Sequence, residues 1–410
     1  MQQMNASIGR WQGTGLLVTT MLGTGVFVLP QLTIELAGSM ALLSWALLVI
    51  VMLPVTLVFA ALGQRFPHAG GPAQFVEQAF SPRQGHIIGL MFLLLVPIGA
   101  PAAIELTMEF VNLLIPVTEV NRLWIELILV ATILLPNWRG IRASGISQTL
   151  LTILIIAIVV ILLAAHPSTA TASVNTSRPI GFHGLASAFG LAMWSFVGVE
   201  TMTHLINEFK NPQRDFQVAL LTGVVLVGLI YLGCTWLLLP VPASQSLSMS
   251  IIFNDVFGAG GRWIIGIIGT LSGLATINVY VASVSRLTWS LSQQGLLPAV
   301  FSRLNRHNIP GNALIAQLST ISLVLILSAI LHIHYGALIK WTNGVFVIIY
   351  LMTMISAWRL LPKYRTAALI GIIVCIIFAL SLGGHMLYAL LLWSGLQLVT
   401  MVVGRPLQQI

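Results

Sequence analysis

Leu22-Gly23-Thr24-Gly25-Val26-Phe27-Val28-Leu29-Pro30 lies in the middle of an apolar run that extends from Trp11 to about Leu36. Two glycines one residue apart, followed by a proline, weaken a helix at that point. Taken alone, the stretch reads equally well as a notch for close helix packing, since small residues let membrane helices approach. A second stretch changes the weighting. Trp194-Ser195-Phe196-Val197-Gly198-Val199-Glu200-Thr201 also lies deep in an apolar run, and it sets a glycine beside an ionisable residue. Backbone that is not helical is tolerated at membrane depth only around a cavity enclosed by protein.

The solvent of these runs follows from composition. Of 410 residues, 57% are hydrophobic and 7% charged, against about 25% charged in a soluble globular chain. Mean hydropathy is +0.98. The net charge of +8 is spread in ones and twos between apolar runs, not gathered on one face as a nucleic-acid binder requires, so no nucleic-acid partner is expected. Cys234 and Cys375 each sit within an apolar run without metal-ligand spacing and read as small buried residues. The first apolar run is too long for a signal-peptide core and is expected to remain as the first span.

A span needs about 20 mostly apolar residues. On that basis the sequence holds about twelve, the first near Trp11–Leu36, the fourth near Leu123–Pro136, the sixth near Gly184–Ile206, and the last two near Ala367–Leu382 and Met386–Val403. With this count, 14 of the 18 Lys and Arg fall on the side of the termini and 4 on the other. Basic residues gather in cytoplasmic loops, so both termini are expected in the cytoplasm. No long hydrophilic insertion and no Gly-Lys-Ser/Thr phosphate loop occurs, which predicts a single transmembrane domain over 1–410 and no ATP-driven pump.

Spans one and six hold corresponding places in two five-span halves, about 11–165 and 183–358, with two further spans over about 367–403. Five is odd, so the second half must be inverted relative to the first. Interrupted helices at matching places of inverted halves point to a transporter's midplane binding site. Amides at the broken ends suit a carboxylate, and carbonyls suit an ammonium or a cation.

The motifs resemble those of the amino acid–polyamine–organocation (APC) transporter superfamily. Gly23-Thr24-Gly25-Val26-Phe27 is similar to its helix-one signature, and Arg65-Phe66-Pro67-His68-Ala69-Gly70-Gly71 to its first cytoplasmic loop. Phe196-Val197-Gly198-Val199-Glu200 followed by Glu208-Phe209-Lys210-Asn211-Pro212-Gln213-Arg214 resembles helix six and the loop after it, and Ser285-Arg286-Leu287 through Gly295-Leu296-Leu297-Pro298 the end of helix eight. The resemblance implies an all-α integral membrane protein with the LeuT-type five-plus-five inverted repeat, broken helices one and six, and two C-terminal helices. The short loops and Gly-Gly-Pro-Ala-Gln-Phe are most like the bacterial exporters of methionine and branched-chain amino acids. In some proton-coupled members a lysine in helix five stands in for sodium, but Ser144–Ala165 contains none.

The expected cargo is therefore a neutral apolar amino acid, methionine, leucine, isoleucine or valine, exported across a bacterial inner membrane by proton antiport. Import by symport, or exchange of amino acids and amines, is the alternative. The expected substrate contacts are Gly23, Thr24, Gly25, Trp194, Phe196, Val197, Gly198 and Asn278. Trp194 and Phe196 read as an aromatic gate or as ordinary packing, and Asn278 and Asn343 as ligand contacts or as glue between helices. Glu200 has no Lys or Arg within its span. An intramembrane carboxylate is costly, so Glu200 is expected to serve proton coupling or gating, the alternative being a hydrogen-bonded structural role. Glu105 and Glu109 share a helix face and read as solvated rim residues, and Glu126 as a first-turn acid. His332 and His334 have the wrong spacing for a shared metal. No metal, cofactor or enzymatic constellation is expected. The partners are the amino acid, protons and the bilayer, and a homodimer is compatible with the sequence.

Overall fold

The computed structural model describes residues 8–23, 25–139, 141–165, 182–241, 247–333 and 335–403. The first apolar run is split as expected: α1 (Arg10–Leu22) stops at Gly23 and α2 (Leu29–Ala37) resumes after Val28, with Pro30 in its first turn. There a missing N–H costs nothing. α3 (Ala41–Arg65) continues through Pro54. A short helix, α4 (Pro72–Ala79), starts after Gly71, whose φ of +51° favours glycine. α5 (Pro82–Leu114) begins where the Ser81 hydroxyl accepts the Gln84 amide at 3.4 Å, an N-cap that satisfies one orphan donor. α6 (Glu119–Arg139) and α7 (Ile141–Ala165) follow.

The second interruption is also present. α8 (Phe182–Ala192) tightens into a 3-10 turn at Met193–Phe196, the chain extends at Val197, and α9 (Val199–Thr203) begins after Gly198 at φ +141°. Beyond it lie α10 (Gln217–Leu238), the short α11 (Met249–Phe257), α12 (Gly261–Gln293), α13 (Gly311–Leu331), α14 (Tyr335–Leu360), α15 (Arg365–Leu382) and α16 (Met386–Val403). Helices thus stand at each of the twelve expected places. Among the described residues, nine stretches are long and apolar enough to cross a bilayer. The difference from twelve has three sources. α1 is only 13 residues long before its break, α6 carries Arg122 and Glu126 in its outer turns, and α15 and α16 share one apolar stretch, Pro362–Met401.

Side chains such as Leu380, Leu391 and Leu398 are 76%, 63% and 64% exposed. A patch of that kind is a liability in water and the proper surface in lipid. The interior holds residues 13–22 of α1, the small residues of α5 and residues 277–288 of α12. Cys234 and Cys375 are free and buried, as their surroundings in the sequence suggest.

Among the described residues the ion pairs fall into two groups, one at each end. At one end, Arg10 pairs with Asp215 at 3.2 Å, and the nearly buried Arg286 and Glu208 form an ion pair. Ile8 hydrogen-bonds the Glu208 carbonyl and the Lys210 amide, tying the start of the chain to the α9–α10 connection. At the other end, Arg122 binds both Glu105 and Glu126. Glu105, expected at the rim, is thus an ion-pair partner, and one expectation is corrected: Glu126 lies two turns into α6 and is buried, because the helix starts earlier, at Glu119.

Candidate functional site

The break in the first span is built by glycine and closed by hydroxyls. Gly23 has φ +32°, and a Cβ there would come within 2.0 Å of the Thr276 hydroxyl. The last carbonyls of α1 also draw hydroxyls from two other helices. Thr276 of α12 donates toward Thr19 O at 2.9 Å and Thr20 O at 3.1 Å. Tyr231 of α10 donates toward Leu22 O at 3.2 Å and Met21 O at 3.3 Å. The amides of Gly23, Gly25 and Val26 bond back to Thr19 O and Leu22 O, so these three are not open to an incoming carboxylate, contrary to the sequence-based expectation for this break. Positive φ falls at Gly23 rather than Gly25. Gly25 is needed for space, since a Cβ would meet Leu29 and the Tyr231 hydroxyl, each at 2.6 Å.

The break in the sixth span is closed by its own acid. Glu200 is fully buried. Its carboxylate accepts the Gly198 amide at 3.0 Å, the Thr201 hydroxyl at 3.0 Å, the Tyr280 hydroxyl at 3.1 Å and the Tyr350 hydroxyl. The carboxylate therefore caps the N-terminus of α9, and hydroxyls from α12 and α14 converge on it. No Lys or Arg is among these partners. Gly198 also brings the two breaks together: a Cβ there would lie 3.1 Å from Thr20 and 3.2 Å from Met21 of α1.

Between the breaks lies a small cavity of about 40 Å³. Of the residues singled out in the sequence, Gly23, Gly25, Trp194 and Val197 line it. Thr24 lies outside the described residues. Phe196, Gly198 and Asn278 are not on the wall. Phe196 is wholly buried, and Asn278 accepts a hydrogen bond from Asn137 of α6 at 2.6 Å, the helix-gluing alternative. Asn343 is likewise buried and off the wall. The rest of the lining comes from α5, α12 and α14, with Gly99 and Ala100 giving space, Thr276, Thr342 and Tyr280 giving hydroxyls, and Phe346 a flat apolar face. No Asp, Glu, Lys, Arg or His lines the cavity among the described residues. Glu200 stands one layer behind the wall and is connected to it by Tyr280.

Tyr231, Tyr280, Tyr350 and Thr276 were not singled out from the sequence. One signal was available: a tyrosine deep in an apolar span has a hydroxyl that must find a partner.

The chain has known relatives. It is 37% identical over 406 residues to an L-methionine/branched-chain amino acid exporter of Escherichia coli (strain K12), covering 97% of both chains. An uncharacterized amino acid permease of Bacillus subtilis (strain 168) is 26% identical over 88% of this chain and 87% of its own. A cadaverine/lysine antiporter of Escherichia coli (strain K12) is 22% identical over 79% and 76% respectively. The model of the amino acid permease family matches residues 8–401. With an all-helical membrane architecture, two interrupted helices and an uncharged cavity between them, the chain belongs to the amino acid permease family, within the amino acid–polyamine–organocation superfamily, and is a transporter rather than an enzyme.

Proposed function

We propose that this permease exports neutral, apolar amino acids, methionine and the branched-chain residues foremost, in exchange for protons. The carrying observation is the cavity wall, which offers hydroxyls, small residues and flat apolar surfaces with no fixed charge. A cationic or acidic side chain would lose its hydration there without gaining a counter-ion, whereas a thioether or branched alkyl group would lose nothing. Export is chosen over import because the relative that matches along nearly the full chain is named an exporter. Antiport has support in the more distant relative named an antiporter. In this reading the amino group meets the carbonyls at the end of α1, the carboxylate faces the bend at Val197, and Glu200 carries the coupling proton.

The same reading takes the chain as one domain of twelve spans in two inverted halves plus two further helices, and the packing supports it. Numbering the spans in order, the second (α3) packs on the seventh (α10), the third (α5) on the eighth (α12) and the fourth (α6) on the ninth (α13). Each is thereby set against its own counterpart, an arrangement that a two-fold axis passing between the halves produces for elements beside it. A short helix also recurs at the matching place, α4 before the third span and α11 before the eighth. Sidedness is consistent as well. Arg10–Asp215, Arg286–Glu208, Gln64–Gln213 and Arg83–Gln397 each join two residues assigned to the cytoplasmic side, while Arg122–Glu105, Arg262–Leu113 and Ser248–Gln31 join residues assigned outside. Both termini are then cytoplasmic, in a bacterial inner membrane.

Counterflow in proteoliposomes tests the cargo. Liposomes loaded with unlabelled methionine should accumulate labelled methionine, leucine, isoleucine and valine, and not lysine or aspartate. Equal counterflow of lysine would refute the assignment.

A further inference from the structure

One buried basic group is left unused by the cavity and by Glu200. His204 follows α9 and stands four residues after Glu200, so the two share a face. It is fully buried. Its Nδ1 lies 2.9 Å from the Ala69 carbonyl in the α3–α4 connection. A carbonyl only accepts, so Nδ1 carries the hydrogen and the neutral ring presents Nε2 as a lone-pair acceptor. That nitrogen is buried without a hydrogen-bond partner among the described residues. Such orphans are uncommon and call for an explanation. The site is also closely built. A Cβ on Gly71 would fall 2.7 Å from the imidazole, and the Phe92 ring of α5 lies 4.6 Å from it, centroid to centroid.

The charged and titratable groups around the ring come from three directions. α12 brings Arg286, which is held by Glu208 and by the Ala282 carbonyl. The α3–α4 connection brings His68, whose Nδ1 accepts the Gly70 amide at 3.0 Å and which burial keeps below the ordinary histidine range. Its own segment brings Glu200, already bonded to four donors. α5 contributes the uncharged Phe92. An imidazolium here would have no free carboxylate beside it and one like charge nearby, which makes it a short-lived carrier rather than a resting ion pair.

We propose that His204 is a second proton-carrying residue of the transport cycle, set between Glu200 and the cytoplasm. The inference rests on the proton-coupled reading of Glu200. When the inner side opens and water enters, the O–H bond of Glu200 breaks and an N–H bond forms at His204 Nε2, leaving a carboxylate and an imidazolium. The Nε2 proton then passes to cytoplasmic water, and the ring returns to the tautomer that donates to Ala69. The Ala69 contact holds the acceptor nitrogen in place while the inner side is closed.

The test compares wild type with His204→Asn and His204→Gln in proteoliposomes. Asparagine can place an N–H near the Nδ1 position but has no basic nitrogen. Two fluxes of labelled methionine are measured for each protein, exchange at equal pH on both sides and flux driven by an imposed pH step. The expected result is that both variants keep exchange close to wild type while gradient-driven flux falls about tenfold or more, the scale of a typical coupling factor. If both variants follow the gradient as wild type does, His204 carries no proton and the proposal fails while proton coupling stands. If exchange and driven flux fall together in both, the residue is a structural latch and the proposal also fails. A wild type indifferent to the gradient would overturn the proton-coupled reading and this inference with it.

Discussion

The two helix breaks face one another across the same cavity and are closed by opposite means. In the first, the last carbonyls of α1 are met by neutral hydroxyls, Thr276 and Tyr231. In the second, the surplus amide of α9 is met by a carboxylate that belongs to the same segment. The first break has no titratable side chain within its turn, so its shape is independent of pH. The second is held by a group that can gain or lose a proton, and protonation would change every one of its hydrogen bonds. A fixed break suits a substrate seat, and a protonatable one suits a switch.

The largest effect is expected at the fixed break. Gly23→Val would place a Cβ against the Thr276 hydroxyl in a backbone region that disfavours β-branched residues, at about 1–3 kcal/mol of strain before any clash. Methionine binding to purified protein should be lost, with a lowered Tm. Gly25→Val should also impair binding, because Leu29 and Tyr231 are in the way, but with less loss of Tm since no positive φ is involved. A Gly25→Val protein less stable than Gly23→Val would reverse this account of the first break.

A smaller pair of effects sharpens the second break. Tyr280→Phe and Tyr350→Phe each remove one donor from the Glu200 carboxylate, at about 1–3 kcal/mol apiece for a hydrogen bond to a charged group. The two should lower Tm alike. Only Tyr280 also lines the cavity, so Tyr280→Phe should alter methionine affinity and Tyr350→Phe should not, as equilibrium binding would show. Identical affinities in the two variants would remove Tyr280 as the link between cargo and switch. The smallest effect is expected for Thr276→Val, which takes the hydroxyl from the Thr19 and Thr20 carbonyls and leaves Tyr231 on those of Met21 and Leu22. A stability loss of about 1 kcal/mol, read as a lowered Tm, should be largely restored by Thr276→Ser.

Both breaks could be read in the sequence because Gly23, Gly25, Pro30 and Gly198 act through the backbone within a few residues of themselves. What closes the breaks could not be read. Tyr280 and Tyr350 reach Glu200 from 80 and 150 residues away, and helical periodicity does not say which distant helix faces which. The same distance hid the Arg286–Glu208 pair, 78 residues apart, whose members looked like loop-signature residues. Asn278 illustrates the converse. Its residue type promised a polar contact deep in a span, but Asn137 of α6 supplies that contact, leaving the cavity wall to Ile277 and Tyr280 on either side.

The claim that one break seats cargo and the other switches is tested most directly by Glu200→Gln. Glutamine has nearly the same shape and mimics the protonated acid, although its amide nitrogen faces groups that now donate to the carboxylate. Labelled-methionine flux is measured in proteoliposomes at matched protein levels, with and without an imposed pH step. The expected result is that the variant binds and exchanges methionine but shows the same flux with the step as without it. A variant whose flux still follows the pH gradient as wild type does would contradict the account, and Glu200 would then be a structural cap on α9 and no more.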